Sequence, residues 1–313
     1  MKVKTEKQLE KKKRKKFTTY ELQLYSLLLI PAILVFVFSY LPMGGIIIAF
    51  KDYKYNLGIL GSEWIGFDNF KFFFVSDAFT RITWNTLYMN FLFILTSHAA
   101  AVFVAILLFE VRSRKQTKVY QTILITPYFI SWVIVAYIVY ALLNSNGIVN
   151  TLIKSAGGDP VDWYTKPGYW PVILVICNLW KGIGMNSVMY YAGLMGMDTS
   201  LFEAAEIDGA NKWQIVRSII LPLLVPMMTI LIILAIGGIF RADFGLFYNV
   251  PRNVGLLYKT TDVIDTFVFR ALREQGDMGM SSAVGLLQSV VGFITVMLTN
   301  AISKKINPDN ALF

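Results

Sequence analysis

Long apolar runs alternate with short polar ones along this chain. Six runs are long enough to cross a bilayer, which takes about 20 helical residues. They cover residues 22–50, 84–109, 119–143, 170–195, 219–240 and 281–302. The pattern predicts an all-α integral membrane protein with about six transmembrane helices. The first run has too long an apolar core for a cleavable signal peptide, and no small-x-small site closes it. Composition agrees: of 313 residues, 56% are hydrophobic and 15% aromatic, more apolar surface than a soluble domain can hide. The expected layout is a basic tail over 1–20, a membrane domain over 21–306 and a short tail over 307–313.

The net charge of +9 is unevenly placed. Nine basic residues fall between Lys2 and Lys16. The bland account is a solvated arm. A nucleic-acid arm is a poor rival, because an apolar run follows almost at once; a basic run there mainly sets orientation. With the N-terminus inside, Arg112, Arg114, Lys115, Lys118, Lys212, Arg217, Lys304 and Lys305 all fall on the inner side. The outer segments balance their bases with Asp52, Glu63, Asp159, Asp162, Asp262, Asp265 and Asp277. Both termini and the 196–222 segment are therefore expected in the cytoplasm.

The outer segments have their own character. Residues 51–81 are aromatic-rich, and part is expected to lie along the membrane interface. Residues 144–168 carry the turn cluster Gly157-Gly158-Asp159-Pro160. Trp163, Tyr164, Tyr169 and Trp170 suit an aromatic belt, with a docking surface as the sharper alternative. In 243–280 a short helix is expected over 263–273. Cys177 is the lone cysteine, so no intramolecular disulfide is possible. His98, the lone histidine, reads as a packed, hydrogen-bonded residue rather than a ligand.

The polar stretch 203–222, EAAEIDGANKWQIVRSIILP, lies between two apolar runs. Ser200 followed by Glu203 predicts a capping box. Ala204 and Ala205 keep the helix surface low, and Asp208 follows at helical spacing. Gly209 is a natural stop, since it tolerates a left-handed cap. Asn211 starts a second short helix, and Pro222 suits the first turn of the next one. On composition alone this is an amphipathic helix-turn-helix linker. Its spacing, however, resembles the EAA loop of bacterial ABC-importer permeases, at Glu203, Ala204, Ala205, Gly209, Ile219, Leu221 and Pro222. Further stretches resemble the carbohydrate-type members: Phe50-Lys51-Asp52-Tyr53, Pro127-Tyr128-Phe129-Ile130-Ser131, Gly147-Ile148-Val149-Asn150 and Asn300-Ala301-Ile302-Ser303-Lys304-Lys305. The likeness covers most of residues 20–306 and matches the compact six-span form.

The resemblance implies a type I importer permease in a bacterial plasma membrane. Its EAA loop, about 196–222, would be a coupling helix docked on an ATPase. Its partners would be a second homologous permease, two ATPase subunits that bind ATP-Mg, and an extracellular solute-binding lipoprotein delivering a carbohydrate. Glu203 would pair with a basic residue of the ATPase. No cofactor or metal is expected in this chain. It has no GxxxxGK[ST] loop, and Asp243-Phe244-Gly245 is a chance kinase tripeptide without the companion motifs. No His/Cys cluster suggests a metal, and one histidine leaves no Ser/His/Asp arrangement. A permease for an amino acid, phosphate or polyamine is the alternative. A carrier without an ATPase is disfavoured, since it needs no dock.

Lys181 stands near the middle of the fourth run. A lysine there costs about 2.5–3.5 kcal/mol on insertion scales, so it should face a cavity or a polar partner. Asn178, Lys181, Gly182, Met185 and Asn186 share one helical side. One account makes Asn178, Lys181, Gly182 and Asn186 part of the substrate path. The other makes them a structural polar contact with the partner permease, or lets Lys181 snorkel.

Overall fold

The computed structural model describes residues 19–75 and 78–306. The Lys2–Lys16 run and the 307–313 tail lie outside the described residues. The fold is helical apart from two-residue strands, Lys51–Asp52 and Glu63–Trp64, paired antiparallel with Lys51 opposite Trp64. Contacts divide the chain into residues 1–47 and 48–313. In the first part, helix Thr19–Val35 contains Pro31 and runs on through a wide turn at Phe36–Tyr40. Its apolar side chains stand outward, Leu27 at 71% and Phe38 at 75% exposure. That suits a helix in a solvent of acyl chains, which rewards outward apolar groups as water does not.

In the second part the spans are Ala78–Phe109, Trp170–Met195, Lys212–Gly237 and Met278–Ile306, with an interrupted crossing between the first two. Helix Trp170–Met195 has the bounds its apolar run predicts. The continuous third helix expected over 119–143 is instead broken. Helix Arg114–Ile125 tightens through Thr126–Phe129, Ile130 and Ser131 are extended, and helix Trp132–Leu143 restarts. The cause is local. Pro127 has no N–H to continue the ladder, and the Ser131 hydroxyl accepts the Ile134 amide, starting a new helix.

Spans Ala78–Phe109 and Trp170–Met195 pack along much of their length, as do Lys212–Gly237 and Met278–Ile306. Inside a bilayer this packing gains little from expelling water, so close approach and polar satisfaction must hold the helices. Gly184 illustrates the first. A Cβ there would overlap the Leu124 carbonyl, so only glycine lets Trp170–Met195 approach helix Arg114–Ile125.

The segment after Gly237 illustrates the second. Short helices Phe244–Asn249, Tyr258–Thr261 and Ile264–Arg270 fold over the span ends. The helix expected over 263–273 begins at Ile264 and continues to Gln275. Asp262, a loop acid by its sequence position, is fully buried. Its carboxylate receives Arg270 at 2.5 Å, Arg81 at 3.1 Å and the Thr266 hydroxyl at 3.0 Å. Its carbonyl receives Asn85, and Thr86 accepts the Ile264 amide. Across the same end, buried Asn150 ties the 144–170 segment together. Its amide donates to the Asn144 and Val161 carbonyls and accepts from the Val161 amide and the Trp163 indole.

Candidate functional site

Two features are candidates for functional chemistry: the 196–222 segment and a polar cleft. The segment opens with Asp198. The expected Ser200–Glu203 capping box does not form. The Asp198 carboxylate accepts the Ser200 amide at 3.0 Å, so Ser200 becomes the first residue of helix Ser200–Ile207 rather than its cap. An acid two residues ahead closes a local turn and takes that amide. The Ser200 amide and hydroxyl hold the Asp198 carboxyl below the usual range. Glu203 is consequently exposed, with no polar partner among the described residues.

Gly209 ends this helix at φ +79°, the left-handed conformation that favours glycine. Asn211 then caps Gln214 while Gln214 caps Asn211, a complete capping box. The helix begun there continues without interruption to Gly237. The second short helix and the fifth span are therefore one rod, and Ile219, Leu221 and Pro222 lie within it. Pro222 falls in the first turn after the Ile220 carbonyl, in a stretch already wound as helix.

The segment is seated on the end of span Ala78–Phe109. The Phe202 and Phe109 rings lie 5.5 Å apart, and Lys212 pairs with Glu110. Ala205 and Ala210 pack on a cluster containing Ala105, Tyr190, Leu194, Ile215 and Ile220. The aromatic pair contributes about 0.5–1.5 kcal/mol beyond its buried area. The exposed ion pair contributes about 0.2–1 kcal/mol, so apolar seating dominates. The outward residues are unusual. Ile207 is 87% exposed and Trp213 69%, beside Glu203, Ala204 and Asp208. A contiguous apolar and acidic face of this kind is a candidate docking surface.

The cleft is a cavity of about 370 Å³ among spans Ala78–Phe109, Trp170–Met195 and Lys212–Gly237. Asn90, Ser97, His98, Asn178, Asn186 and Asp243 provide its polar groups. The Asn178 amide donates to the Ser97 hydroxyl at 3.1 Å, and the His98 ring is 2.6 Å from the Tyr190 hydroxyl. Asn90 donates to the Ile239 and Arg241 carbonyls, closing the end of the fifth span. Asn178 and Asn186 thus share the cleft. Lys181 and Gly182 do not line it. Lys181 turns to the break in the third crossing. Its ammonium donates to the Tyr128 carbonyl at 2.5 Å and lies 5.3 Å from the ring centres of both Tyr128 and Trp132. A cation at a helix C-terminus is favourable, and this one meets a carbonyl that the break left open. Gly182 faces Asn186 on its own helix.

Asn90 and Ser97 are not among the residues singled out from the sequence, although with His98 they form one helical stripe, seven and eight residues apart in an apolar run. Asp243 was not. It reaches the cleft from the following loop, accepting the Trp132 indole at 2.7 Å and capping the Leu246 amide.

Residues 97–308, which include the 196–222 segment and every polar residue of the cleft except Asn90, match the family described as binding-protein-dependent transport system inner membrane component. The chain belongs to this family. It is 36% identical over 285 residues to Protein LplB of Bacillus subtilis, covering 90% of this chain and 89% of that one. It is 34% identical over 300 residues to the polygalacturonan/rhamnogalacturonan transport system permease protein YteP of the same species, covering 95% and 93%. Among solved structures it matches a chain of a bacterial ABC transporter involved in import of the acidic polysaccharide alginate. That match has a TM-score of 0.83 and 33% identity, over 92% of this chain and 97% of that one. A second match, in complex with alginate pentasaccharide-bound periplasmic protein, has a TM-score of 0.82. This permease is a multi-pass ABC importer subunit of the carbohydrate-transport type.

Proposed function

We propose that this permease moves an oligosaccharide, delivered by an extracellular binding protein, into the cytoplasm as one half of a paired membrane domain. The observation that carries the substrate class is its 34% identity, across 95% of its length, to a polygalacturonan/rhamnogalacturonan permease. The proposed assembly has a second homologous permease and two ATPase subunits, which alone bind and hydrolyse ATP-Mg. Both termini and the 196–222 segment face the cytoplasm in this reading, which the basic residues around Arg112–Lys118 and Lys304–Lys305 support under the positive-inside rule.

Coupling in this reading is mechanical. Glu203 pairs with a basic residue of the ATPase, while Ile207 and Trp213 bury apolar surface against it. Closure of the ATPase pair pushes helix Ser200–Ile207. Because Lys212–Gly237 is one continuous helix, a push at the Gly209 corner passes directly into the fifth span. The Phe202–Phe109 contact passes it to the second. Both spans border the polar cleft, so its walls move with the loop. Asn178 and Asn186 offer amides to sugar hydroxyls, and Lys181 holds the broken third crossing beside them.

The test is reconstitution of the whole transporter in proteoliposomes. ATPase activity should rise when binding protein loaded with an oligosaccharide is added, and labelled sugar should accumulate. Asn178→Ala should raise the apparent KM for uptake while leaving subunit assembly intact. Stimulation by an amino acid or polyamine instead of any saccharide would replace the sugar reading with that solute.

A further inference from the structure

A second pocket lies at the end of the third crossing remote from the docking segment. It measures about 200 Å³ and sits between helix Trp132–Leu143 and the turn after helix Phe244–Asn249. Tyr137, Tyr248, Asn249, Arg252 and Asn253 provide its aromatic and polar lining. Glu110 and Lys212, which pair beneath the membrane domain, mark the opposite end. We propose that this pocket is a subsite for a carboxylate-bearing sugar residue, with Arg252 as the group that recognises its carboxylate.

Three observations converge on Arg252. The first is its backbone. Arg252 and Asn253 adopt φ +57° and +50°, and they are the only non-glycine residues with positive φ among those described. Asparagine visits this region readily, but arginine there is held at a cost that glycine would avoid. Strain of this kind persists where the surroundings enforce it and clusters at ligand sites. The enforcement is visible. The Asn253 side chain receives the Tyr258 hydroxyl at 2.9 Å and Arg270 at 3.3 Å, which ties the turn to buried Asp262.

The second is the state of its charge. Arg81 and Arg270 are bound by Asp262, and Arg241 donates to the Ser289 hydroxyl. The Arg252 guanidinium has no carboxylate or hydroxyl partner among the described residues. It lies over the face of Tyr140, 4.1 Å from the ring centre. Stacking fixes the plane of the fork and leaves its edge donors open, and two parallel N–H donors match a carboxylate.

The third is the surroundings of the fork. Tyr137, exposed on this rim, offers a ring face for the C–H side of a sugar, and Tyr248 is fixed beside it by Phe244 and Phe269. The Asn249 amide nitrogen is engaged with the Gly245 carbonyl, which leaves its oxygen to accept a hydroxyl. The Asn253 oxygen is engaged by Tyr258 and Arg270, which leaves its amide to donate. Apolar platform, carboxylate fork and one group of each hydrogen-bonding sense together select a uronate over a neutral sugar. The pocket faces the side from which solute arrives if the proposed topology holds, so this inference rests on that reading.

The experiment uses the complete transporter with its binding protein in proteoliposomes, with trigalacturonate and its neutral counterpart galactotriose as probes. Arg252→Gly removes the fork and relieves the left-handed strain, so thermal stability should be unchanged or raised. At subsaturating probe, uptake of trigalacturonate should fall by about tenfold or more, the scale of a lost charge-assisted bond, with galactotriose uptake unchanged. Arg252→Lys keeps the charge without the fork and should fall between. An unaltered ratio of acidic to neutral uptake in Arg252→Gly overturns the inference, as does a wild-type transporter that does not favour trigalacturonate. Equal loss of both probes also overturns it, and marks the turn as a contact for the binding protein. If the wild type takes up no saccharide at all, the carbohydrate reading fails with it.

Discussion

The two ends of the membrane domain are built on opposite principles. At one end, the polar hub of the 238–277 segment is satisfied from within the chain. Asp262 is wholly buried, and each carboxylate oxygen has donors from within the chain. At the other end, the 196–211 segment is half finished. Its inner face is seated on Phe109 and the Tyr190 cluster, while Glu203 and Ile207 are left outward with no partner among the described residues. The difference teaches where each end gets its rigidity. A self-bonded cap can be stiff alone, whereas the face with exposed apolar and acidic groups is the one proposed above to dock on the ATPase.

Breaking the finished end should have the largest effect. Asp262→Ala leaves Arg270 buried and Arg81 unpaired, and should cost about 3–5 kcal/mol. Thermal unfolding of the purified permease measures this. An unchanged midpoint would mean that the polar hub does not hold the cap.

Breaking the unfinished end should spare stability and abolish function. Gly209→Pro cannot adopt φ +79°, so helix Ser200–Ile207 should swing off its seat. The variant should insert in the membrane but lose binding-protein-stimulated ATPase activity. Normal stimulation would show that coupling runs elsewhere. Ile207→Asp sharpens the point: it removes exposed apolar surface, so the unfolding midpoint should stay while pull-down of the ATPase weakens.

A middle-sized effect separates Lys181 from Asn178. Lys181→Met leaves the Tyr128 carbonyl unpaired at the break, and should cost about 1–3 kcal/mol of stability. Asn178→Ala should act on uptake with little change in the midpoint. If both variants lose uptake at wild-type stability, the two residues belong to one path after all. The smallest effect is expected from Lys212→Ala. Its ion pair with Glu110 is exposed, and loss should stay within about 1 kcal/mol in a double-mutant cycle.

Much of this protein followed from periodicity and composition. Apolar runs located the spans because a bilayer demands about 20 satisfied residues whatever the neighbours are. Helix Trp170–Met195 came out to the residue, as did the Gly209 corner and the Asn211 start, since glycine conformation and capping are local. The motif spacing around Glu203 pointed to the family without any three-dimensional information. Tertiary structure alone decided the rest. The break at Ile130–Ser131 starts locally at Pro127, but only the fold brings Lys181 from another helix to meet the Tyr128 carbonyl that it leaves open. Lys181 and Asn178 share a helical side in sequence, yet a neighbouring backbone draws one away from the cleft that the other lines. Asp262 reads as a solvated loop acid until Arg81, distant in the chain, closes over it. Those outcomes depend on which distant polar group reaches a given donor or acceptor. A one-dimensional pattern carries the need for a partner, but the packed structure selects the partner.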